Sequence, residues 1–176
     1  MLLSISGLPG SGTTTVSKLL AKHYGVDLVN AGDLFRGLAK EHGMTLAEFG
    51  ALAESDASID VKIDERQKEI ASTRDNIILE GRLAGYMAEN ALKVWIKAPI
   101  NVRVKRISGR EGTPADVMLD ETIKREASEA IRYEEIYGIG IEDMSIYDLV
   151  IDSGKWDQFE IMKIIISAIE NRGGFT

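Results

Sequence analysis

A glycine-rich segment near the amino terminus constrains the fold more than any other feature of this chain. Residues 7–14 have the sequence GLPGSGTT and stand between an apolar run at Leu2–Ser6 and a helical pattern that begins at Thr13. Glycines allow successive backbone N–H groups to turn toward one point, and the amino terminus of a helix adds partial positive charge there. The segment therefore predicts a strand, a phosphate-binding loop and a helix in that order. The alternative is a tight strand-to-helix turn that binds nothing.

The loop departs from the P-loop pattern G-x-x-x-x-G-K-[ST] at a single position. Thr13 stands where the pattern has lysine, and Thr14 supplies the hydroxyl that holds Mg²⁺ in this motif. The lysine bridges the β- and γ-phosphates of a nucleotide, and threonine carries no charge for that task. Either another cation takes over, or nucleotide binds without phosphoryl transfer. We expect the first, because the rest of the chain supplies several candidate arginines.

Short apolar runs alternate with helical patterns along the chain, which indicates an α/β domain built on a parallel sheet. The strands are predicted at Leu2–Ser6, Val26–Asn30, Asn76–Glu80, Lys93–Lys97 and Asp148–Asp152. The helices are predicted at Thr13–His23, Leu34–His42, Leu46–Glu54, Ile59–Thr73, Asn101–Ser108, Leu119–Tyr137 and Asp157–Asn171. The last helix has five apolar residues on one stripe, which predicts that they pack in the core: Phe159, Met162, Ile165, Ile166 and Ile169.

Two stretches lie outside this alternation and are expected to form the movable parts of a single domain, residues 1–176. Residues 37–74 place a long helical insertion between the second and third strands. Residues 109–118 (GREGTPADVM) form a Gly/Pro-containing break between two helices. Ordinary surface loops are the alternative for both stretches.

Composition argues against several classes of protein. The net charge of −7 argues against a broadly basic nucleic-acid surface, and no apolar run approaches the ~20 residues needed to span a bilayer. Cysteine is absent, which excludes disulfides and thiolate metal sites, and the first residues lack the pattern of a signal peptide. We expect a cytoplasmic monomer that binds neither nucleic acid nor membrane.

Charged residues follow the second and third strands, at the sheet edge where ligands gather in open α/β folds. Asp33 and Arg36 lie at the start of the helix after Asn30, and Glu80 and Arg82 come at the end of the third strand. Arginines at this edge are placed where an anionic ligand could bind, and Glu80 is placed to position a metal ion or its waters. Helix capping near Asp33 and a surface ion pair between Glu80 and Arg82 are the structural alternatives.

Two arginine clusters flank the Gly/Pro-containing break. The first has the spacing i, i+4, i+7, which places its members on one helical stripe: Arg125, Glu129 and Arg132. The second has spacings of three and four, so its members share a face: Arg103, Arg106 and Arg110. Guanidinium groups bind the oxygens of a transferring phosphoryl group bidentately and keep their charge. Together the clusters predict a closing lid; a salt-bridged helix surface is the alternative.

Five segments of the chain resemble the archaeal-type cytidylate kinases: GLPGSGTTT, AGDLFR, LEGR, REASEAIRYEEIYGIG and SIYDLVIDS. They stand in the right order and spacing over roughly residues 1–155. The resemblance implies the three-layer α/β fold of nucleoside monophosphate kinases, with a five-stranded parallel sheet in the order 2-3-1-4-5. It also implies that residues 37–74 bind the acceptor and that residues 109–118 form a short lid. This lid has no cysteines, so it is unlike the zinc-bearing lid of some adenylate kinases.

The resemblance further implies roles for single residues. In related cytidylate kinases, a helix with the pattern R-D-x-x-D-x-x-R carries two phosphate-binding arginines and an acidic contact to the acceptor nucleoside. Arg125, Glu129 and Arg132 match this spacing, with Glu129 in place of aspartate. Arg36 matches the arginine that binds the acceptor phosphate in the wider kinase group.

The expected site has three parts. ATP is expected to bind at Gly7, Leu8, Pro9, Gly10, Ser11, Gly12, Thr13, Thr14 and Thr15, with Thr14 on Mg²⁺. The acceptor is expected to bind at Asp33, Arg36, Glu80, Arg82 and Glu129. The transferring group is expected to be stabilised by Arg106, Arg110, Arg125 and Arg132.

The reaction implied is ATP + CMP ⇌ ADP + CDP, with dCMP as a second acceptor. It requires alignment, charge neutralisation and exclusion of water rather than covalent chemistry. A kinase of the same fold for AMP, UMP or a small metabolite is one alternative. A nucleotide-binding regulator that lost transfer activity with its lysine is the other, and the acceptor-side arginines argue against it.

Overall fold

A computed structural model describes residues 1–175, which form five strands and eight helices. The strands are β1 (Leu2–Ser6), β2 (Asp27–Asn30), β3 (Ile77–Glu80), β4 (Leu92–Lys97) and β5 (Leu149–Asp152). The helices are α1 (Thr13–Tyr24), α2 (Ala31–Glu41), α3 (Leu46–Ser55), α4 (Ser58–Thr73), α5 (Ala84–Met87), α6 (Ile100–Glu111), α7 (Ala115–Tyr137) and α8 (Gln158–Asn171). None of these helices is long and apolar enough to cross a lipid bilayer.

All five strands are parallel and lie in the order β2-β3-β1-β4-β5, which confirms the predicted sheet. In the centre, Ile5 of β1 lies opposite Glu80 of β3, and Glu80 in turn lies opposite Asn30 of β2. Because parallel strands end at the same edge, residues 7–14, Asn30 and Glu80 become neighbours although they are distant in sequence. This edge is where open α/β folds bind ligands.

Helices cover both faces of the sheet, because alternate residues of each strand point to opposite sides. On one face, Leu3 and Ile5 pack with Leu20 of α1 and Ile165 of α8. On the other face, the partners of the strands come from α4, α5 and α7, as shown by the contacts of Leu79 with α5 and of Trp95 with α7. The predicted three-layer architecture is therefore confirmed.

The insertion between β2 and β3 has a small apolar core of its own. Ala39, Phe49, Ile59 and Ile63, from α2, α3 and α4, are buried together. The insertion is also tied to the sheet, because the buried side chain of Gln67 on α4 donates to the Glu80 carbonyl oxygen at 3.0 Å. It is thus a compact helical unit held to the end of β3.

The break between α6 and α7 is shorter than predicted. Helix α6 continues to Glu111 and ends at Gly112, whose φ is 73°, and α7 begins directly after Pro114. A glycine with positive φ ends a helix without strain, and proline suits a helix start because its missing N–H has no helical partner there. Residues 112–114 alone connect the two helices. The sequence also does not predict α5, which at four residues is too short to show a helical period.

Candidate active site

The glycine-rich loop joins β1 to α1 at the carboxyl edge of the sheet. Gly10 and Gly12 have φ values of 80° and 96°, in the region that favours glycine. Gly12 is the N-cap residue of α1, so the loop ends at the positive end of a helix dipole. The predicted order of strand, loop and helix is confirmed, and this geometry suits an anion.

Position 13, where the P-loop pattern has lysine, makes a neutral contact with the end of β3. The buried Thr13 hydroxyl donates to Glu80 Oε1 at 2.7 Å, and the exposed Thr14 hydroxyl lies 3.4 Å from the same oxygen. Burial raises the pKa of Glu80, while the hydrogen bond from Thr13 and the charge of Arg82 oppose that rise. The structure therefore places Glu80 beside the loop.

Thr14 and Glu80 are the residues best placed to hold a metal ion. Within residues 1–175, no group of three or more carboxylate, histidine or cysteine side chains is arranged to hold a metal by itself. Mg²⁺ commonly binds through one or two carboxylates together with substrate phosphates and waters. A hydroxyl and a carboxylate side by side fit that role, as part of a metal–nucleotide complex.

Arg82 connects the loop with the arginine stripe of α7. Its Nη1 donates to the Gly7 carbonyl oxygen at 2.9 Å and its Nε to Glu129 Oε2 at 2.9 Å. The other Glu129 oxygen accepts from Arg125 Nε at 2.8 Å. Burial by itself would raise the pKa of Glu129, but the two arginines outweigh it and hold the pKa below its ordinary value. The structure thus brings three predicted site residues together at the loop.

The third member of the stripe contacts the insertion instead. Arg132 Nε donates to Asp60 Oδ2 of α4 at 2.9 Å, and its Nη1 donates to Ser128 Oγ at 2.7 Å. One turn farther along α4, the buried Asp64 carboxylate accepts from the Tyr137 hydroxyl at 2.8 Å. Helices α4 and α7 are therefore joined by two polar contacts that the sequence does not predict.

On α2, Arg36 forms an ion pair with Asp33 near the end of β2. Asn30, rather than Asp33, caps the helix, because its side-chain oxygen accepts from the Asp33 backbone N–H at 3.1 Å. The Arg36 side chain is 56% exposed, so its guanidinium is open to an incoming anion.

The three arginines of α6 have different surroundings. Arg103 is buried; it donates to the Pro9 carbonyl oxygen at 3.1 Å and forms an ion pair with Glu126 of α7. Arg106 donates to the carbonyl oxygens of Gly10 at 3.2 Å and Ser153 at 2.7 Å. Arg110 lies on the surface beside Glu111. Two of the three arginines on the predicted common face, Arg103 and Arg106, thus pack against the loop. The contact of Arg106 with a transferring group stays a prediction.

A cleft of 510 Å³ opens beside the loop, and sequence reasoning misses one of its walls. The missed wall follows β5 and includes Trp156 and Phe159, which are 48% and 54% exposed. The prediction that Phe159 packs in the core is wrong. Phe159 lies in the first turn of α8, at the rim of this cleft. Farther along the helix, residues of the same stripe are buried. Ile165 and Ile169 are buried as predicted.

Comparisons with known proteins agree with the fold and the motifs. A profile described as the cytidylate kinase-like family matches residues 2–155. The cytidylate kinase of Methanococcoides burtonii is 67% identical over 175 residues, covering 99% of this chain and 100% of that protein. The cytidylate kinase of Methanosarcina acetivorans is 55% identical over 174 residues and 97% of each chain.

Among solved structures, a shikimate kinase from Bacteroides thetaiotaomicron aligns with a TM-score of 0.66 over 97% of this chain and 98% of that chain. Its sequence identity of 15% makes this a likeness of fold alone. The family match covers residues 2–155, the part of this chain that contains the loop, both arginine clusters and the end of β3, and the archaeal relatives match nearly the whole chain. The chain belongs to the cytidylate kinase-like family.

Proposed function

We propose that this protein is a cytidylate kinase that transfers the γ-phosphate of ATP to CMP, with dCMP as a second acceptor. Family membership supports the choice of CMP. One structural observation carries the mechanism: Arg82 links the Gly7 carbonyl oxygen of the phosphate loop to Glu129 on the arginine helix. The residues proposed to bind the donor and those proposed to bind the acceptor thus lie next to each other at one edge of the sheet.

The donor ATP lies along residues 7–15 and in the adjoining cleft. Backbone N–H groups and the amino terminus of α1 bind its phosphates. Trp156 and Phe159, exposed beside the loop, offer apolar surface to the base. Thr14 and Glu80 would hold Mg²⁺, which would supply positive charge to neutralise the phosphates.

The acceptor phosphate is bound by Arg36 and Arg82, and Glu129 contacts the acceptor nucleoside. In the structure these arginines are paired with carboxylates, Arg36 with Asp33 and Arg82 with Glu129. Arginine forms bidentate bonds with phosphate as well as with carboxylate. Phosphate oxygens can therefore take the place of the carboxylates at these two arginines.

Transfer itself needs alignment and charge stabilisation more than acid–base chemistry, because a phosphate oxygen of the acceptor is already ionised at neutral pH. Arg125 and Arg132 of α7, with Arg110 at the end of α6, stabilise the transferring group. Residues 37–74 and 109–118 close over both nucleotides and keep water out. The enzyme acts as a monomer in the cytoplasm on small nucleotides alone.

Product analysis tests the proposal. Purified protein with ATP, Mg²⁺ and CMP should form ADP and CDP in equal amounts, measured by ion-exchange chromatography. Arg82→Gln should lower kcat/KM by about 100-fold or more, because an arginine that holds the acceptor phosphate in line for transfer is lost. Arg172→Gln, which breaks an ion pair with Asp148 at the opposite end of the sheet, serves as the matched control and should leave kcat/KM unchanged. ADP formation without CDP, or no turnover, would contradict the proposal.

A further inference from the structure

The carbonyl oxygens of the phosphate loop are held from behind by arginines. Three of them accept from guanidinium nitrogens: Gly7 O from Arg82 Nη1 at 2.9 Å, Pro9 O from Arg103 Nη1 at 3.1 Å and Gly10 O from Arg106 Nη1 at 3.2 Å. In a planar trans peptide, the carbonyl and the N–H of the next residue point in opposite directions. The N–H groups that follow these carbonyls therefore point away from the arginines, and that of Ser11 donates within the loop to the Leu8 carbonyl oxygen at 3.1 Å.

Helix α6 approaches the loop backbone closely enough for its charges to matter there. A Cβ added to Gly10 would lie 2.7 Å from the Arg103 carbonyl oxygen and 3.0 Å from its Cα. Only glycine allows the first turn of α6 to pack directly on the loop. The guanidinium groups of Arg103 and Arg106 consequently touch the back of the loop.

The two arginines differ in how their charge is balanced. Arg103 is buried and forms an ion pair with Glu126, so much of its charge is compensated. Within residues 1–175, the hydrogen bonds of Arg106 go to neutral oxygens of Gly10, Ser11 and Ser153. Its charge is therefore available to the loop, although the side chain as a whole is exposed.

We propose, building on the ATP-dependent transfer proposed above, that Arg106 is a positioning residue that supplies from behind the loop the positive charge that Thr13 lacks. Arg103, which is held by its ion pair with Glu126, also donates a hydrogen bond to the loop. The charge of Arg106 adds to the positive potential that the loop and the amino terminus of α1 present to a polyphosphate. Its anchor at Ser153, after β5, holds this charge at the loop before any acceptor arrives.

A binding experiment separates the charge from other roles of Arg106. The probes are ADP and inorganic tripolyphosphate, titrated by calorimetry with EDTA and without CMP. Tripolyphosphate has no base, so contacts of Arg106 within the cleft cannot affect it. Arg106→Gln should weaken both probes about 10- to 100-fold, because one positive charge near a polyanion is lost. Arg106→Lys should weaken them less, and Arg172→Gln, the control for one lost positive charge, should have little effect.

Thr13→Lys then tests whether the two positions substitute for each other. In the Arg106→Gln background, the added lysine should restore most of the lost affinity for tripolyphosphate. In the wild-type background it should add little or lower affinity, because the charge of Arg106 is already present and the two cations repel each other. An equal gain in both backgrounds would overturn the proposal. A merely structural Arg106 would not be rescued at position 13, and thermal melting of each variant checks that it is folded.

The outcomes distinguish this proposal from the proposed function. A wild-type protein that binds ADP, with Arg106→Gln binding equally well, contradicts the role of Arg106 alone. A wild-type protein that binds neither ADP nor tripolyphosphate contradicts both. Normal binding without formation of CDP contradicts the kinase activity and leaves the charge behind the loop established.

Discussion

At the residue scale, Thr13 connects the phosphate loop to β3 through a neutral hydrogen bond. Its hydroxyl donates to Glu80, and the same carboxylate oxygen lies near the Thr14 hydroxyl. A lysine here would bring a charge to the phosphates, whereas the threonine holds the Glu80 side chain in position. In this chain, therefore, the residue at position 13 and the residue that supplies the positive charge are two different residues.

Thr13→Ala should therefore be a mild substitution. A neutral hydrogen bond contributes about 0.5–1.5 kcal/mol, so kcat/KM for CMP should fall only about 2- to 10-fold. Thr13→Ser keeps the hydroxyl and should lie closer to the wild type. Steady-state kinetics with saturating ATP measures both. A loss of about 100-fold or more in Thr13→Ala would mean that the hydroxyl itself acts in transfer.

At the scale of single elements, the contact between α4 and α7 joins the insertion to the arginine helix. Asp60 accepts from Arg132, and Asp64 accepts from the Tyr137 hydroxyl. Burial raises the pKa of Asp64 to about 6, and the negative charge of Asp60 adds to the rise, while the Tyr137 hydrogen bond opposes it. Tyr137 in turn faces Asp60, Asp64 and Glu65, and its own pKa is raised, chiefly by burial.

Asp64 should make the folded state less stable as pH rises from about 4 to 6. The folded protein binds the Asp64 proton more tightly than the unfolded chain, whose pKa stays near 3.8, so deprotonation disfavours folding. The full difference between 3.8 and about 6 corresponds to roughly 3 kcal/mol. Asp64→Asn cannot ionise and should raise the free energy of unfolding above pH 6 by about 1–3 kcal/mol.

Urea unfolding at several pH values measures this effect. The fall in stability between pH 4 and pH 6 should be smaller in Asp64→Asn than in the wild type. Asp116→Asn, at an exposed position in the first turn of α7, is the matched control and should keep the wild-type pH dependence. Asp64→Asn that is less stable than wild type at pH 7.5 would contradict the raised pKa.

The elements differ in how far the sequence predicts them. The apolar runs at β3, which is buried throughout, and at β5, where Val150 is exposed, both predict their strands to within one residue. Helix α5 has four residues, and Gly112 and Pro114 mark ends that helical periodicity alone does not locate. Phe159 follows the period of a buried stripe yet lines the cleft, because burial depends on what packs against the helix.

The candidate site shows the same division. The loop and the stripe of Arg125, Glu129 and Arg132 could be predicted because each lies within one local segment. The contacts of Arg106 with Ser153 and of Arg132 with Asp60 could not, because they join segments that meet only in the folded chain. Spacing shows which side chains share a face; tertiary packing decides which face meets which partner.

At the scale of the whole molecule, an acidic chain concentrates its arginines at one edge of its sheet. The net charge is −7, yet Arg36, Arg82 and Arg106 lie around the end of the sheet where the phosphate loop runs. Most site arginines have carboxylate partners, and three of these pairs join separate segments of the chain: Arg82–Glu129, Arg103–Glu126 and Arg132–Asp60. Nucleotide phosphates would compete for these arginines, so binding should rearrange contacts between whole elements.

Hydrogen exchange should reveal this rearrangement. A bisubstrate analogue that joins adenosine and cytidine through phosphates should slow amide exchange in residues 37–74 and 109–118, because both close over the nucleotides. Exchange in α8 beyond its first turn should stay unchanged, which makes that helix the internal control. Protection confined to residues 7–15 would contradict closure of the two segments.

The central claim is that the acceptor is CMP, and a competition between acceptors tests it most directly. CMP, dCMP, UMP and AMP are supplied together with ATP and Mg²⁺, and the initial rates of the four diphosphates give their relative kcat/KM. We predict that kcat/KM for CMP exceeds that for AMP and UMP by at least about ten-fold, or roughly 1.4 kcal/mol of discrimination, with dCMP second. Phosphorylation of AMP or UMP with an efficiency comparable to that of CMP would contradict the account.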